Sequence, residues 1–325
     1  MANAKPNLSL PSNEPIKSYA PCTPERDDIK AKLQELKDRQ IEIPIIIGGK
    51  EIRTGNMGKC VLPHDHETVI GTYHKAGEKE VQMAIETALK TQKQWAETDW
   101  QERASIFLGA ADILAGPQRS LLNAASMLCQ SKNVFQAEVD AACEFIDFLR
   151  FNAFYANTIY EQQPPISPTG IWNRLEYRPL EGFIFAATPF NFTSIAGNLP
   201  SAPAMMGNVA LWKPASNATY SAYYVMKLFQ EAGVPEGVIN FIPGAGSEIG
   251  PVIMNSSDLA GVHFTGSTAT FQNMWHTVGS NIKSYKCYPR IVGETGGKDF
   301  VFVHKDTGIV ELSTALIRGA FEYQG

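Results

Sequence analysis

Apolar positions recur with a helical period through much of the chain's first half, and beyond Gly170 they gather into short runs. "DDIKAKLQELKDRQ" sets Ile29, Leu33 and Leu36 on one stripe and predicts a helix. "IEIPIIIGGKEIRTG" reads as a strand and a hairpin that turns at Gly48-Gly49. Helices are expected in "EKEVQMAIETALKTQKQWAE" and "QERASIFLGAADILAG", the second stopped by Gly116-Pro117. A long helical segment runs from about residue 137 to 161 and ends before Pro164-Pro165.

Strand-like apolar runs then recur at 183–187, 209–212, 238–242, 261–264 and 290–292. Helical stretches separate them, such as "SNATYSAYYVMKLFQEAG", with Ser216 or Asn217 as N-cap and Gly233 as stop. This alternation predicts βαβ units: an α/β protein with a Rossmann-like parallel sheet and flanking helices. Residues 171–182, "IWNRLEYRPLEG", alternate in strand fashion and read as an arm used in subunit pairing. The last stretch, "IVELSTALIRGAFEYQG", spaces Leu312, Leu316, Ala320 and Tyr323 as an amphipathic helix.

Composition narrows the function classes. Apolar residues make up 44%, charged residues 19%, and the net charge is −5 without a long basic run. Nucleic acid is an unfavourable partner for such a surface, and no apolar stretch reaches membrane-spanning length. The five cysteines are odd in number and lack C-x-x-C spacing, which argues for a reducing compartment and against a structural metal site. The polar N-terminus has neither the apolar core of a secretory signal nor any arginine before Arg26.

Parallel sheets bind ligands at the carboxyl ends of their strands, so the loops that leave those ends carry the candidate chemistry. "GAGSEIG" (244–250) has its third glycine one place late for a dinucleotide fingerprint and is read as an ordinary strand-to-helix turn. In "FTGS", Thr265 and Ser267 flank Gly266 just before a helix start, a setting suited to pyrophosphate or to simple capping. Lys213 ends an apolar strand, placed either to reach ribose hydroxyls or to snorkel into water. Asn191, between Phe190 and Phe192, is an oxyanion donor or a turn residue. Glu294 in "GETGG" is a partly desolvated general base or a turn carboxylate paired with Lys298. Asp140, Glu144 and Asp147 share a helical stripe, with Arg150 beside Asp147. Glu144 could face a cationic substrate group, but a solvated acidic face is the reading preferred.

Taken in order, "TPFNF", "LWKPA", "VHFTGS" and "GETGGK" resemble the aldehyde dehydrogenase superfamily. "PFNFT", "LRFNA" and "EGF" are most similar to its branch that oxidises L-glutamate γ-semialdehyde, the ring-opened form of Δ1-pyrroline-5-carboxylate. The resemblance implies that Asn191 supplies an oxyanion amide, that Glu294 activates the deacylating water, and that Phe192 packs on the substrate's aliphatic part. Thr188, Lys213, Gly246, Phe264, Gly266, Ser267, Thr268, Ala269 and Thr270 would line a site for NAD, with no metal. It further implies a small-molecule substrate, a homo-oligomer, and a mitochondrial matrix location, or a cytoplasmic one if no presequence has been removed.

The family places its nucleophilic cysteine three residues past a glycine that corresponds to Gly325, where this sequence stops. None of the five cysteines present substitutes for it. The expectation is a chain cut before its nucleophile, inactive by itself, with the second, catalytic domain largely missing. The alternatives are a naturally short, non-catalytic nucleotide-binding protein and a fragment of another semialdehyde dehydrogenase. The expected organisation is an extended segment (1–23), the helical part of the NAD-binding domain (24–168) and an oligomerisation arm (169–182). A Rossmann-like core (183–296) and the start of a catalytic domain (297–325) follow.

Overall fold

A computed structural model describes residues 8–297 and 299–324. Helix α1 (Pro24–Asp38) turns Ile29 and Leu36 inward. Strands β1 (Ile41–Ile43), β2 (Ile45–Ile47) and β3 (Lys50–Ile52) follow. The turn between β2 and β3 needs two left-handed residues in succession, and Gly48 and Gly49 take φ of 56° and 74° there. Next comes a hairpin of β4 (Met57–Leu62) and β5 (Asp65–His74), which the periodicity did not suggest. With β1 it forms a separate three-stranded sheet in the order β1-β5-β4.

Helices α2 (Glu78–Glu97), α3 (Trp100–Ala115), α4 (Arg119–Gln130) and α5 (Val134–Ala137) come next. The chain then passes through a π-helical stretch, Glu138–Glu144, directly into α6 (Phe145–Glu161). No strand forms over residues 171–182, so the alternation there is not expressed as one.

The expected βαβ region is present. It consists of β6 (Phe183–Ala187), α7 (Thr193–Met205), β7 (Val209–Lys213), α8 (Thr219–Glu231), β8 (Ile239–Phe241), α9 (Gly246–Met254), β9 (Leu259–Gly266), α10 (Thr268–Ser280) and β10 (Arg290–Thr295), with α11 (Ile309–Phe321) after it. Neither Ser216 nor Asn217 caps α8. A short 3₁₀ turn, Ser216–Ala218, intervenes and Ala218 occupies the cap position.

The seven-stranded sheet runs β10-β9-β6-β7-β8-β2-β3, parallel from β10 to β8 and antiparallel beyond. Strand β6, an inner strand between β9 and β7, is buried at every position, as a strand covered on both faces should be. One face holds an aromatic knot in which Trp212 meets Phe241 and Phe229 edge-on, with ring centroids 5.1 and 6.3 Å apart. The Trp212 indole also donates to the Thr188 hydroxyl at 3.1 Å, which ties this core to the first loop above the sheet. At the other extreme, Phe300, Phe302, Ile309, Val310 and Phe321 are exposed in this chain.

Candidate active site

Strand register brings the suspected loops together. Ala187 pairs with both Lys213 and Phe264, and Glu294 pairs with Thr265, so β6, β7, β9 and β10 end at one level. Two clusters stand above that line.

The first is built on β7, β9 and the helices after β8 and β9. Burial pushes the Lys213 ammonium down to about 8, and its Nζ donates to the Pro214 carbonyl at 3.0 Å. A Cβ on Gly246 would come 3.4 Å from the Lys213 Cε, an ordinary contact distance that places the start of α9 beside the lysine. Phe264 is buried and stacks on Phe271 at 5.6 Å. A Cβ on Gly266 would lie 2.7 Å from the Phe264 ring, hence only glycine fits beside it. Ser267 caps α10 by accepting from the Thr270 amide at 3.3 Å, and residues 267–270 are exposed at that helix N-terminus. Hydroxyls and N–H groups at the positive end of a helix dipole favour a phosphate-bearing ligand.

The second cluster surrounds the loop from β6 to α7. Asn191 is half-buried, and its side-chain amide donates to the Tyr323 carbonyl at 3.2 Å. Phe192 stacks on the Tyr323 ring at 5.2 Å. Asp140 is completely buried and its carboxylate accepts from the Thr193 and Ser194 amides at 3.0 and 2.9 Å, capping α7. It also pairs with buried Lys132 at 2.5 Å.

These contacts correct the solvated reading of the acidic stripe. Glu144 accepts from the Ser194 hydroxyl at 3.1 Å. Asp147 does not pair with Arg150 but accepts from Asn13 and the Glu14 amide, while Arg150 pairs with Glu14 and Asp112. The seven-residue π-helical stretch changes the angular spacing, and Lys132 from outside the stripe supplies the cation for Asp140. Glu294 departs from expectation too: it is exposed at the end of β10 rather than partly desolvated. Its negative charge adds a minor upward push on the Glu144 carboxyl. Lys298 lies outside the described residues. Lys132 was missed altogether, because a lysine just after a helix end looks like any solvated cation.

Burial, reinforced by Asp140 and Glu294, pushes the Glu144 carboxyl up to about 7 against the Ser194 hydroxyl and Lys132. The folded chain therefore holds this proton more tightly than the unfolded chain does. Its contribution to stability is fully present below about pH 4.5 and fades as the pH rises to about 7. Glu144→Gln cannot ionise, so its thermal midpoint should gain on wild type across that window. A difference in midpoint that does not change with pH would show that Glu144 ionises freely.

Among the described residues no helix is long and apolar enough to cross a membrane, and no group of three acidic, His or Cys side chains could hold a metal ion. Burial pushes the Cys129, Cys143 and Cys287 thiols up, Cys143 to about 12, which favours the un-ionised form at each.

The sequence profile of the aldehyde dehydrogenase family matches residues 53–325. The delta-1-pyrroline-5-carboxylate dehydrogenase of Agaricus bisporus is 50% identical over 315 residues, 97% of this chain and 58% of that protein. The human mitochondrial enzyme of the same name is 43% identical over 314 residues, 97% of this chain and 56% of its own length. A crystal structure of the Mycobacterium tuberculosis Delta-pyrroline-5-carboxylate dehydrogenase bound with NAD superposes with a TM-score of 0.96 at 51% identity. That match covers all of this chain and 61% of the other. The chain thus spans a little under three fifths of the curated relatives it matches.

Proposed function

The chain belongs to the aldehyde dehydrogenase family, and from that premise we propose that it carries the cofactor site and oxyanion loop of an NAD-dependent L-glutamate γ-semialdehyde dehydrogenase. The observation that carries the reading is the meeting, at one level above the sheet, of the Asn191 loop, Lys213, the α10 N-terminus and Glu294. The similarity to a relative whose structure is described as bound with NAD supports the choice of cofactor.

The residues present fit that cofactor. Lys213, with its ammonium drawn down by burial, is placed to donate to ribose hydroxyls, Gly246 lies beside it, and Thr188 closes the floor between β6 and β7. Gly266, Ser267, Thr268, Ala269 and Thr270 present the α10 N-terminus to a pyrophosphate, and Phe264 supports the nicotinamide side. When bound, NAD+ supplies the hydride acceptor.

The remaining chemistry falls to side chains. Asn191 donates to the oxygen on which negative charge develops when a thiol adds to the aldehyde. Phe192 shapes the wall along the substrate's methylene groups. Glu294 takes a proton from the water that releases the acid product, and its exposure at a strand end suits a base that must reach that water. The nucleophilic thiol of the family is assigned to none of the five cysteines of this chain. Three are buried, Cys22 is exposed in the N-terminal segment, and Cys287 donates to the Glu181 carbonyl at 3.4 Å.

Residues 24–168 and 183–296 together form the NAD-binding unit in this reading, and 297–325 opens the catalytic domain. Residues 169–182 serve as the arm of a homo-oligomer; exposed Ile171, Trp172 and Leu175 support that role. A mitochondrial matrix location follows the relatives named as mitochondrial.

The test is NADH formation by the purified full gene product with NAD+ and Δ1-pyrroline-5-carboxylate. A higher kcat/KM than with propanal or succinate semialdehyde is expected. Turnover of those aldehydes at equal or greater efficiency would remove the substrate assignment, and no turnover of any of them would remove the activity.

A further inference from the structure

The loop that carries Asn191 is held at three points. At its start the Trp212 indole binds the Thr188 hydroxyl, and at its end Asp140 holds the Thr193 and Ser194 amides. The middle is held by Lys132, whose Nζ donates to the Asn191 carbonyl at 2.5 Å. This lysine is 4% exposed. Its ammonium pairs with Asp140 at 2.5 Å and lies 4.8 and 5.1 Å from the ring centroids of Phe192 and Tyr323, within cation–π range of both.

Local backbone aims it there. Helix α4 ends at Ser131 in the left-handed region, with φ 53°, a conformation that non-glycine residues adopt at a cost. The Ser131 hydroxyl lies 2.7 Å from the His64 Nδ1, so a contact from the β4–β5 hairpin supports the turn. After that turn Lys132 points into the loop instead of continuing the helix toward water.

Asp140 does not by itself account for a buried ammonium. As the cap of α7 it already accepts two backbone N–H groups, and a capping carboxylate needs no lysine to do so. What Lys132 adds is the grip on the Asn191 carbonyl and the faces of the two rings beside it. We propose that Lys132 is a positioning residue: by holding the Asn191 backbone between Asp140 and the Phe192–Tyr323 stack, it sets where the Asn191 amide points. The proposal rests on the reading of Asn191 as the oxyanion donor. A positioning group can move a rate strongly, since a displacement of about 1 Å at a reacting centre costs up to about a hundredfold.

Lys132→Met leaves Asp140 buried without its cation, so Lys132→Met/Asp140→Asn is the companion variant that restores neutrality. In the full gene product both should lower kcat about ten- to a hundredfold, with KM for NAD+ within about twofold of wild type, and Lys132→Arg should recover part of the loss. Independently of turnover, the Asn191 side-chain amide resonance is followed by selective 15N-asparagine labelling and identified by its loss in Asn191→Ala. It should move in both variants while most backbone resonances stay in place. A neutral double variant that keeps wild-type kcat, or an Asn191 amide resonance that does not move, overturns the proposal. If wild type itself turns over no aldehyde, the functional reading fails and the amide resonance alone decides the role of Lys132.

Discussion

Replacing Asn191 by alanine in the full gene product is expected to lower kcat for aldehyde oxidation by about a hundred- to a thousandfold, the usual range for one oxyanion donor. The expectation comes from where the amide sits. Its backbone carbonyl is fixed by Lys132 and its side chain by the Tyr323 carbonyl, so the group is held in place before substrate arrives. A preorganised donor acts on charge that appears only in the transition state, so kcat should fall while KM for NAD+ changes little. The competing role, a turn-forming asparagine, makes the opposite forecast. Asn191→Ala would then lower the melting temperature and leave the rate of the folded fraction near wild type. Asn191→Asp separates the two further, because a carboxylate keeps the turn but repels the developing oxyanion. Aspartate retaining more than a tenth or so of the rate would end the oxyanion reading.

Much of the parallel sheet was legible in the sequence, and the reason is burial on two faces. A strand covered on both sides must be apolar throughout, so "FIFAA" and "VALW" announced β6 and β7 without an alignment. The exits of those strands then fixed Thr188, Lys213 and Ser267 to one end of the sheet. The hairpin of β4 and β5 stayed hidden because "MGKCVL" is half exposed and its pairing shifts register around Cys60, Val61 and Leu62. Helix α4 hid for another reason. It buries Asn123, Ser126 and Gln130 as well as Leu122 and Leu128, so its inward face does not read as an apolar stripe.

The acidic stripe shows where a pattern rule fails. Like charges at helical spacing suggest a solvated face when the search for counter-ions stops one turn away. Here the counter-ion comes from just beyond the end of α4, where Lys132 reaches Asp140, and Arg119 at the start of the same helix reaches Glu138, an acidic residue outside that stripe. The sequence separations are 8 and 19 residues, outside any local rule. Glu138 and Asp140 belong to the same π-helical stretch but serve different clusters, one turned to the N-terminal segment and the other to the Asn191 loop.

That division makes Arg119→Met the substitution with the largest expected cost to stability. Glu138 is completely buried and Arg119 is 3% exposed. The guanidinium reaches Glu138 at 2.5 Å, Glu14 at 2.5 Å and the Pro15 carbonyl at 2.8 Å. Burial alone would drive the Glu138 carboxyl up; Arg119, the Lys17 amide and the Tyr19 hydroxyl more than reverse it and hold the carboxyl below the usual range. Removing one partner of such a pair leaves a buried charge without its counter-ion, which costs about 3–5 kcal/mol. Chemical denaturation of Arg119→Met should therefore shift strongly, and proteolysis should begin in the segment before Tyr19, which loses two of its anchors. Arg119→Met/Glu138→Gln should recover much of the loss, because the neutral amide oxygen still accepts from the Lys17 amide or the Tyr19 hydroxyl while the unpaired buried charge is gone. The sign of the pH dependence follows from the depressed carboxyl: the pair's contribution is present above the unfolded pKa of 4.5 and is lost as the pH falls. Wild type should thus converge on the double variant in acid, and a gap between them that persists at low pH would mean that packing rather than charge holds the N-terminal segment down.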